Sequence, residues 1–317
     1  MTDEERPGPG VEDARVTFVV MSRDRRDELV QSLGRHRAPV ILVDNGSTDG
    51  TAAAVRAAHP HVRVVEAGRN LGAAARTLGV RLAETPYVAF ADDDSWWAPG
   101  SLALVADVLD ADPDVAVVQA RVLVGPEERP DPFNDVLAAS PLPRPPRTDL
   151  PTALGFMACA AIVRRDAFLA AGGFDDVVRF PGEEERLALD LAAAGHAIVH
   201  APQAVVHHHP SPRRHSPGAR VTAATRSHLL TAILRLPWRD VARDARSPAR
   251  TPPRRRRLAA PVRDLRALRE RRVTPPRVLS LRALLDAPPA AGPTRHPTPP
   301  TDHSAVATAP ADREEPR

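Results

Sequence analysis

Residues 87–97 read YVAFADDDSWW, a short apolar run that ends in three consecutive aspartates. Three adjacent negative charges repel one another and resist desolvation, so they do not help a buried strand to form. Side chains alternate along an extended chain, which predicts that Asp92 and Asp94 face one way and Asp93 the other. Two carboxylates on one side of a strand end suit Mg²⁺ or Mn²⁺ carrying a diphosphate. A solvated acidic loop is the alternative interpretation.

The residues around this segment alternate short β-rich runs with helical stretches. The predicted strands are 16–21, 40–43, 62–66, 87–91 and 115–118, and the predicted helices are 25–33, 51–58, 71–83 and 100–109. This alternation indicates an α/β fold with a mostly parallel sheet and helices on both faces. Ligands of such sheets bind beyond the carboxyl ends of the strands. The polar segments 22–24, 44–49 and 92–95 each follow a predicted strand, which places a site at that edge.

The chain divides into four regions by composition. They are a disordered N-terminus at 1–14, a globular domain at 15–210, an arginine-rich and partly helical extension at 211–285, and a disordered proline-rich tail at 286–317. Within the globular domain, a long surface loop is predicted at 125–151, structure at 152–163, helices at 165–171 and 183–194, and strands at 197–200 and 204–207. The extension has 20 arginines against four acidic residues, with helices predicted at 222–236 and 261–271.

Composition limits the classes of protein that the chain can belong to. Its 317 residues suit one large domain or two small ones, and 43% are hydrophobic, which is enough for a sizeable core. All 43 basic residues are arginine, a pattern typical of a GC-rich genome, so arginine count alone is weak support for a function. The one cysteine, Cys159, excludes an internal disulfide. No signal peptide and no run of 18 apolar residues are present, so a cytoplasmic protein is expected.

The segment 44–51 reads DNGSTDGT and joins a predicted strand to a predicted helix. Asp44 at the strand end can accept hydrogen bonds from a ring N–H or a ribose hydroxyl. Asn45 and Gly46 make the tight turn, and Ser47 or Thr48 can cap the following helix. An ordinary strand–turn–helix junction explains the segment equally well by itself. Together with the three aspartates, a nucleotide site is the better interpretation.

Several motifs, taken in order, resemble family 2 glycosyltransferases of the GT-A fold. They are VVMSRDR at 19–25, VDNGSTDGT at 43–51, RNLG at 69–72, FADDD at 90–94, GGFD at 172–175, GEEERL at 182–187 and VVHHH at 205–209. The resemblance covers about residues 15–210. It implies a Rossmann-like sheet and an inverting transfer of a sugar from a nucleoside-diphosphate sugar to an acceptor hydroxyl.

The resemblance also implies roles for the first set of motifs. Ser22, Asp44 and Asn70 correspond to the pocket for the base and ribose of the nucleotide. Asp92 and Asp94 correspond to the Asp-x-Asp element, in which the last carboxylate binds the divalent metal.

Asp93 takes the middle position of that element, which implies a contact with the ribose or the sugar. A metal ion held there neutralises the charge that builds on the departing diphosphate.

A second acidic cluster, Glu183 to Glu185, lies at a predicted helix start. Negative charge at this place is favoured by the helix dipole, so plain capping is one interpretation. In the family the second acidic residue after the glycine is the general base, which corresponds to Glu184. Because this chain has Glu where Asp is usual, Glu183 stays an alternative for the base.

Histidines and tryptophans complete the set of candidates. Adjacent residues of a strand cannot all face one ion, so a zinc site at His207–His209 is not expected. The resemblance makes His208 a third metal ligand or a diphosphate contact. Trp96 and Trp97 could line the donor or acceptor site, or pack against the next helix.

These observations predict a metal-assisted inverting glycosyltransferase that uses Mn²⁺ or Mg²⁺ and a nucleoside-diphosphate sugar. A sugar nucleotidyltransferase is the first alternative, but it would show a glycine-rich phosphate loop after the first strand. A nucleic-acid or anionic-lipid binding module is the second. The arginine-rich extension has few interleaved aromatic residues, which argues against nucleic acid. Peripheral contact of the extension with an anionic membrane, near a lipid-linked acceptor, is the expectation for a partner.

Overall fold

The computed structural model describes residues 10–211, 217–246 and 268–286. Most of the two segments predicted to be disordered, 1–14 and 286–317, lies outside these ranges. The strands are β1 (Val16–Ser22), β2 (Val40–Asp44), β3 (Arg63–Glu66), β4 (Tyr87–Ala91), β5 (Ser95–Trp97), β6 (Val115–Val124), β7 (Arg129–Pro130), β8 (Thr152–Ala153), β9 (Ala161–Arg164) and β10 (Ala197–His208). The helices are α1 (Arg26–Ser32), α2 (Thr51–Ala58), α3 (Ala74–Leu82), α4 (Ser101–Ala111), α5 (Pro132–Ala138), α6 (Arg165–Ala170), α7 (Glu184–Ala194), α8 (Pro217–Arg235), α9 (Trp238–Arg246) and α10 (Pro276–Asp286). Short 3₁₀ turns lie at Leu33–Arg35 and Ala158–Ala160.

One mixed sheet runs through the molecule in the order β3-β2-β1-β4-β9-β6-β10-β5. The strands β3, β2, β1 and β4 are all parallel, as the alternation of strands and helices predicts. The short β9 then lies antiparallel between β4 and β6. Beyond it, β6 and β10 are again parallel, while β5 pairs antiparallel with β10. The predicted parallel sheet is therefore confirmed for its first four strands, and the remainder is mixed.

The two faces of the sheet bury two separate apolar clusters because side chains alternate along each strand. Phe18 and Val20 of β1 pack on the face that α1, α2 and α4 cover. Val19 between them points to the other face, which α3, α6 and α7 cover. The α/β architecture with helices on both faces is thus confirmed. Because both faces are covered, a ligand can reach the sheet only at the ends of its strands.

Two predictions about local structure are wrong. The loop predicted at 125–151 contains β7 and α5, whose start carries Asp131, and the Asp131 carboxylate accepts a hydrogen bond from the Phe133 amide at 2.8 Å. This aspartate caps the first turn, and the proline that follows it suits the first helical position. The two strands predicted at 197–200 and 204–207 are one strand, β10, with an irregularity in register after Ala201.

The described part of the arginine-rich extension packs against α7. Leu189 and Ala192 of α7 share an apolar cluster with Ala232, Leu236 and Val278. The described residues as far as Leu285 form one compact unit. The helix predicted at 222–236 is confirmed within α8, whereas residues 261–267 of the other predicted helix lie outside the description. The boundaries at 210 and 285 stay predictions.

No helix in residues 10–211, 217–246 or 268–286 combines the length and the apolar character that crossing a bilayer requires.

Candidate active site

The carboxyl ends of β1 and β2 bring the first two candidate residues together. Ser22 and Asp44 are direct neighbours in the parallel register of these strands, and both side chains are buried. The Ser22 hydroxyl donates to an Asp93 carboxylate oxygen at 2.8 Å. Asp44 accepts from the Ser47 amide at 2.9 Å. The two side chains are therefore fixed before any ligand binds.

Asn45 joins the loop after β2 to the loop after β3. Its side-chain oxygen accepts from the Leu71 amide at 2.7 Å, and its amide group donates to the Gly72 carbonyl at 3.2 Å. Gly46 next to it has φ +78°, and a Cβ there would lie 2.8 Å from the Arg69 carbonyl carbon. The close approach of the two loops thus requires glycine at this position.

Asn70 lies on the second of these loops and is exposed. Its side-chain oxygen accepts from the Gly72 amide at 2.8 Å, a bond within its own loop.

The loops after β1 and β2 brace each other in a way that the sequence did not predict. The Asp24 amide donates to the Ser47 hydroxyl at 2.9 Å, and the Thr48 amide donates to the Asp24 carboxylate at 2.7 Å. Neither Ser47 nor Thr48 caps α2, so that expectation is wrong. They hold the neighbouring loop instead.

The three aspartates after β4 point to three different partners. Asp93 and Asp94 form a turn, so the alternation expected of an extended chain is absent and the predicted side-by-side arrangement of Asp92 and Asp94 is wrong. An Asp92 oxygen accepts from Arg76 at 2.6 Å. Asp93 faces Ser22, while Asp94 accepts from the Ser211 amide at 2.9 Å. The turn therefore directs its three carboxylates towards three different elements of the site.

The carboxyl group of Asp93 has a raised pKa. Burial raises its pKa to about 6, and the repulsion from Asp92 and Asp94 adds to this, while the hydrogen bond from Ser22 opposes it. Close like charges disfavour ionisation. A cation bound nearby would restore the charged form.

Asp94 and His208 are brought together by the pairing of β5 with β10. A carboxylate oxygen of Asp94 lies 3.4 Å from the His208 Nε2 atom, and both side chains are largely buried. A carboxylate and an imidazole suit Mn²⁺. Among residues 10–211, 217–246 and 268–286, no group of three or more His, Cys, Asp or Glu side chains could hold a metal ion. Two protein ligands nevertheless fit an ion that takes its other ligands from substrate phosphates and water.

The remaining aromatic and histidine candidates are engaged in packing. The Trp97 side chain is buried, and its indole N–H donates to the Phe90 carbonyl at 3.1 Å. Trp96 stacks on His207, and the Arg35 guanidinium lies 3.9 Å from its ring centroid. His207 pairs with Glu128 at 2.8 Å.

Glu183 and Glu184 approach the same site from α7. Glu183 is 1% exposed, and one of its oxygens accepts from Arg76 at 3.0 Å. Its other oxygen, Oε2, is buried and has no hydrogen-bond partner among the described residues. Glu184 is half-buried and accepts a long bond of 3.4 Å from the Ala158 amide. Of the two residues, Glu184 is the more exposed, and its carboxylate is the more weakly held.

Burial raises the pKa of both glutamates. Repulsion from Glu184 adds to the rise at Glu183, while Arg76 opposes it at both positions. Two carboxyl groups so close together cannot both ionise easily, so their proton affinity is above that of an exposed glutamate.

Arg76 is the functional candidate that sequence reasoning missed. The signal was a single arginine within the small and apolar residues of 73–80, a stretch predicted to be helical and to pack on the sheet. Asn45 was predicted only to make a turn, and nothing local indicated its bonds to a loop 26 residues away.

Comparisons with known proteins place this architecture in a family. The protein-family model for Glycosyl transferase family 2 matches residues 24–170 of this chain. An N-acetylglucosaminyl-diphospho-decaprenol L-rhamnosyltransferase of Mycobacterium tuberculosis is 30% identical over an alignment 217 residues long, which covers 56% of this chain and 68% of that protein. A pre-mycofactocin glycosyltransferase of the same organism is 32% identical over an alignment 216 residues long, which covers 64% of this chain and 44% of that protein.

The fold has a counterpart among solved structures. The mannosyltransferase PcManGT from Pyrobaculum calidifontis, solved in complex with GDP-Man and Mn²⁺, superposes with a TM-score of 0.55 and 24% identity over 90% of this chain and 78% of its own. This similarity supports a GT-A arrangement of sheet and helices. The chain belongs to glycosyltransferase family 2 and is a glycosyltransferase.

Proposed function

We propose that this glycosyltransferase moves a sugar from a nucleoside-diphosphate sugar to an acceptor hydroxyl with inversion of configuration, assisted by Mn²⁺ or Mg²⁺. The observation that carries the proposal is the convergence at one sheet edge of two acidic groups. The aspartates after β4 lie on one side, the glutamates at the start of α7 lie on the other, and Arg76 bonds to both.

On the donor side, three residues recognise the nucleotide. Asp44 has its carboxylate fixed by Ser47 and is placed to accept from a base N–H or a ribose hydroxyl. Ser22 holds Asp93, whose raised pKa makes a hydroxyl group or a nearby cation a suitable partner. Asn70 presents its side chain on the exposed rim of the same pocket.

Asp94 and His208 are the residues that would hold the metal ion. When bound, the ion supplies charge neutralisation for the diphosphate leaving group. Asp92 was predicted to share this task, but its bond to Arg76 supports a different role for it. We therefore assign Asp92 to the framework of the site and leave Asp94 and His208 as the metal ligands.

Glu184 is the general base in this scheme. The half-buried carboxylate has a raised pKa, which suits a group that must accept a proton near neutral pH. Glu183 is the alternative, but its pairing with the buried Arg76 favours a structural part in the site. A single displacement, with the acceptor oxygen attacking opposite to the leaving diphosphate, gives inversion.

The name of the M. tuberculosis rhamnosyltransferase supports a class of acceptor. That relative acts on a sugar attached through a diphosphate to decaprenol. We infer a lipid-linked sugar as the acceptor of this chain, with peripheral contact between the arginine-rich residues 211–285 and the inner face of an anionic membrane. Exposed side chains of this extension, among them Trp238 and Val273, support such a contact.

A direct assay tests the transfer. The full chain is incubated with Mn²⁺, a panel of nucleotide sugars that includes activated L-rhamnose, and a polyprenyl-diphosphate N-acetylglucosamine acceptor, and diphosphate release is measured. Acceptor-dependent release with one donor is the expected result, and NMR of the product should show the inverted linkage. No release with any donor, or retention of configuration, would contradict the proposal.

Binding experiments separate the metal and membrane parts of the proposal. Calorimetry should show that nucleoside diphosphate binds much more weakly without Mn²⁺ and in Asp94→Ala, and equal affinity in all three samples would rule out metal assistance. Liposome co-sedimentation should depend on anionic lipid and weaken with salt. Sedimentation that ignores lipid charge would remove the membrane contact.

A further inference from the structure

Arg76 is a cation buried between two carboxylates that belong to different parts of the site. Its side chain is 1% exposed. One guanidinium nitrogen donates to Asp92 at 2.6 Å, and another donates to Glu183 at 3.0 Å. The planar fork of arginine can hold two carboxylates at once, which the single ammonium of lysine cannot do in the same geometry.

The two carboxylates have different origins in the chain. Asp92 follows β4 and opens the turn that carries Asp93 and Asp94. Glu183 immediately precedes Glu184, the first residue of α7. Arg76 comes from a third element, α3, and lies 16 residues from one partner and 107 from the other. One side chain therefore connects the donor side of the site to the residue next to the base.

Stability alone gives no reason for this triad. Arg76 and Glu183 are removed from water and Asp92 is partly removed, at 26% exposed, which costs free energy. Replacing buried ionic groups by packed apolar residues is often neutral or stabilising. The Nε atom of Arg76 and the Oε2 atom of Glu183 are also buried without hydrogen-bond partners among the described residues, which adds to the cost. Because packed apolar residues could give the same stability, the ionic triad points to a role in the reaction.

We propose that Arg76 is a positioning residue for the transfer reaction, because it ties Asp92 to Glu183 and so fixes Glu184 relative to the donor turn. The inference rests on the assignment of Glu184 as general base made above. Arg76 touches neither substrate in this scheme. It acts through Glu183, whose carboxylate it aims, and displacement of a catalytic group by about 1 Å can cost 10²-fold in rate.

The test compares steady-state kinetics of full-length Arg76→Met and Arg76→Lys with the parent chain. Arg76→Met should lower kcat by about 10²-fold while the donor KM stays within about threefold, because the pocket around Ser22 and Asp44 is untouched. Arg76→Lys should recover part of the loss, since an ammonium keeps one of the two contacts.

Two arginines serve as matched controls. Arg81→Met changes an exposed residue of the same helix. Arg164→Met removes a half-buried arginine that donates to the Leu109 and Asp112 carbonyls, away from the site. Both controls should keep the parent kcat per folded molecule, even where Arg164→Met lowers the melting temperature. A parent-like kcat per folded molecule in Arg76→Met would overturn the inference.

A double-mutant cycle tests the route through Glu183. If Arg76 acts through this side chain, Arg76→Met combined with Glu183→Met should be no slower than the slower single variant. Losses that multiply would contradict the route. Should Arg76→Met fail to fold, the same cycle with Arg76→Lys decides. If the parent chain transfers no sugar, the proposed function itself is contradicted. If the parent is active and the Arg76 variants are fully active as well, only the inference about Arg76 is contradicted.

Discussion

The two halves of the candidate site, named the donor half and the acceptor half after the proposed function, are built in different ways. In the donor half, residues 16–91 alternate the strands β1 to β4 with helices, and these four strands are all parallel, so their polar carboxyl ends meet at one edge. On the acceptor side, β9 breaks the parallel order, and the glutamates of α7 reach the edge through partners far away in sequence.

This difference has a physical lesson. Backbone geometry positions the donor half, since Ser22 and Asp44 are neighbours wherever the strands pair in this register. Side-chain pairing positions the acceptor half, through Arg76 on one side of α7 and α8 on the other. We therefore expect the acceptor half to be the more sensitive to changes outside it.

Removing the extension should have the largest effect. Truncation after Pro210 exposes Leu189 and Ala192 and leaves Asp190 without the bond from Arg235. Asp190 keeps its ion pair with Arg186 at 3.4 Å, so the main cost is the apolar surface of α7 that loses its cover, at roughly 25 cal/mol for each Å² exposed. We expect loss of the cooperative thermal transition measured by circular dichroism. Truncation after Asp286 is the control and should leave that transition in place. A 1–210 chain as stable as the parent would show that α7 needs no support from α8.

Loss of the proposed base, Glu184, should have the next largest effect. Glu184→Gln keeps size but cannot accept a proton, so kcat should fall by about 10²-fold or more while donor binding is retained. Glu183→Gln should be milder because the amide oxygen can still accept from Arg76. Glu185→Gln, which changes the partner of His228, is the matched neighbour and should be the mildest. Steady-state rates with saturating donor decide the order, and a larger loss in Glu183→Gln would move the base to that residue.

Acid should weaken the donor half through His36. This residue is fully buried against Phe18, neither ring nitrogen has a hydrogen-bond partner among the described residues, and burial with repulsion from His59 lowers its pKa to about 4. In the unfolded chain His36 takes up a proton near pH 6.5, its ordinary pKa, whereas in the fold it does so only near pH 4. The free energy of unfolding is therefore unaffected by His36 above pH 6.5 and falls as the pH drops from 6.5 towards 4.

The loss through His36 amounts to about 3 kcal/mol, because each pKa unit is worth about 1.4 kcal/mol. Urea unfolding at pH 7 and pH 4 should show a smaller decrease in the free energy of unfolding for His36→Leu than for the parent. Equal decreases in the two proteins would mean that His36 is not the source of acid sensitivity.

The smallest effect concerns the contact between the two donor loops. Gly46 and Gly50 both have positive φ, at +78° and +81°, but only a Cβ at Gly46 meets the Arg69 backbone, while nothing lies within 4 Å at Gly50. Backbone strain should cost each alanine variant about 1 kcal/mol of stability, and the close contact with the Arg69 backbone should add to this cost at Gly46. Only Gly46→Ala should also weaken nucleoside diphosphate binding, by about three- to tenfold, which calorimetry can measure. Equal binding losses would show that strain alone matters.

The sequence predicted most of the donor half because the signals there are local. The strands and helices between Val16 and Ala111 agree with the predicted ranges to within three residues at each end. The short β5 was missed, since its three residues carry no periodic pattern. The turn at Asp93 and Asp94 was also missed, because an apolar run shows where a strand ends but not how the chain continues.

The acceptor half could not be predicted in the same way. The four residues of β9 show no sign of the direction in which they pair, and their insertion between β4 and β6 is decided by the whole sheet. The bond from Arg76 to Glu183 joins positions 107 residues apart, so no local pattern contains it. By contrast, the start of α5 was readable from Asp131 and Pro132 and was obscured by the surrounding prolines.

Asn45 has a consequence for how this scaffold can change. Both of its side-chain bonds go to main-chain atoms, the amide of Leu71 and the carbonyl of Gly72. Replacing the exposed side chain of Arg69 therefore leaves the backbone of this loop in place, whereas replacing Asn70 removes one bond within the loop, the one from the Gly72 amide. The backbone position of this loop and the chemistry of its exposed side chains can therefore change independently in the proposed donor pocket. We expect that a change of preferred nucleotide sugar could be selected here by one or two substitutions, without a new fold for the loop.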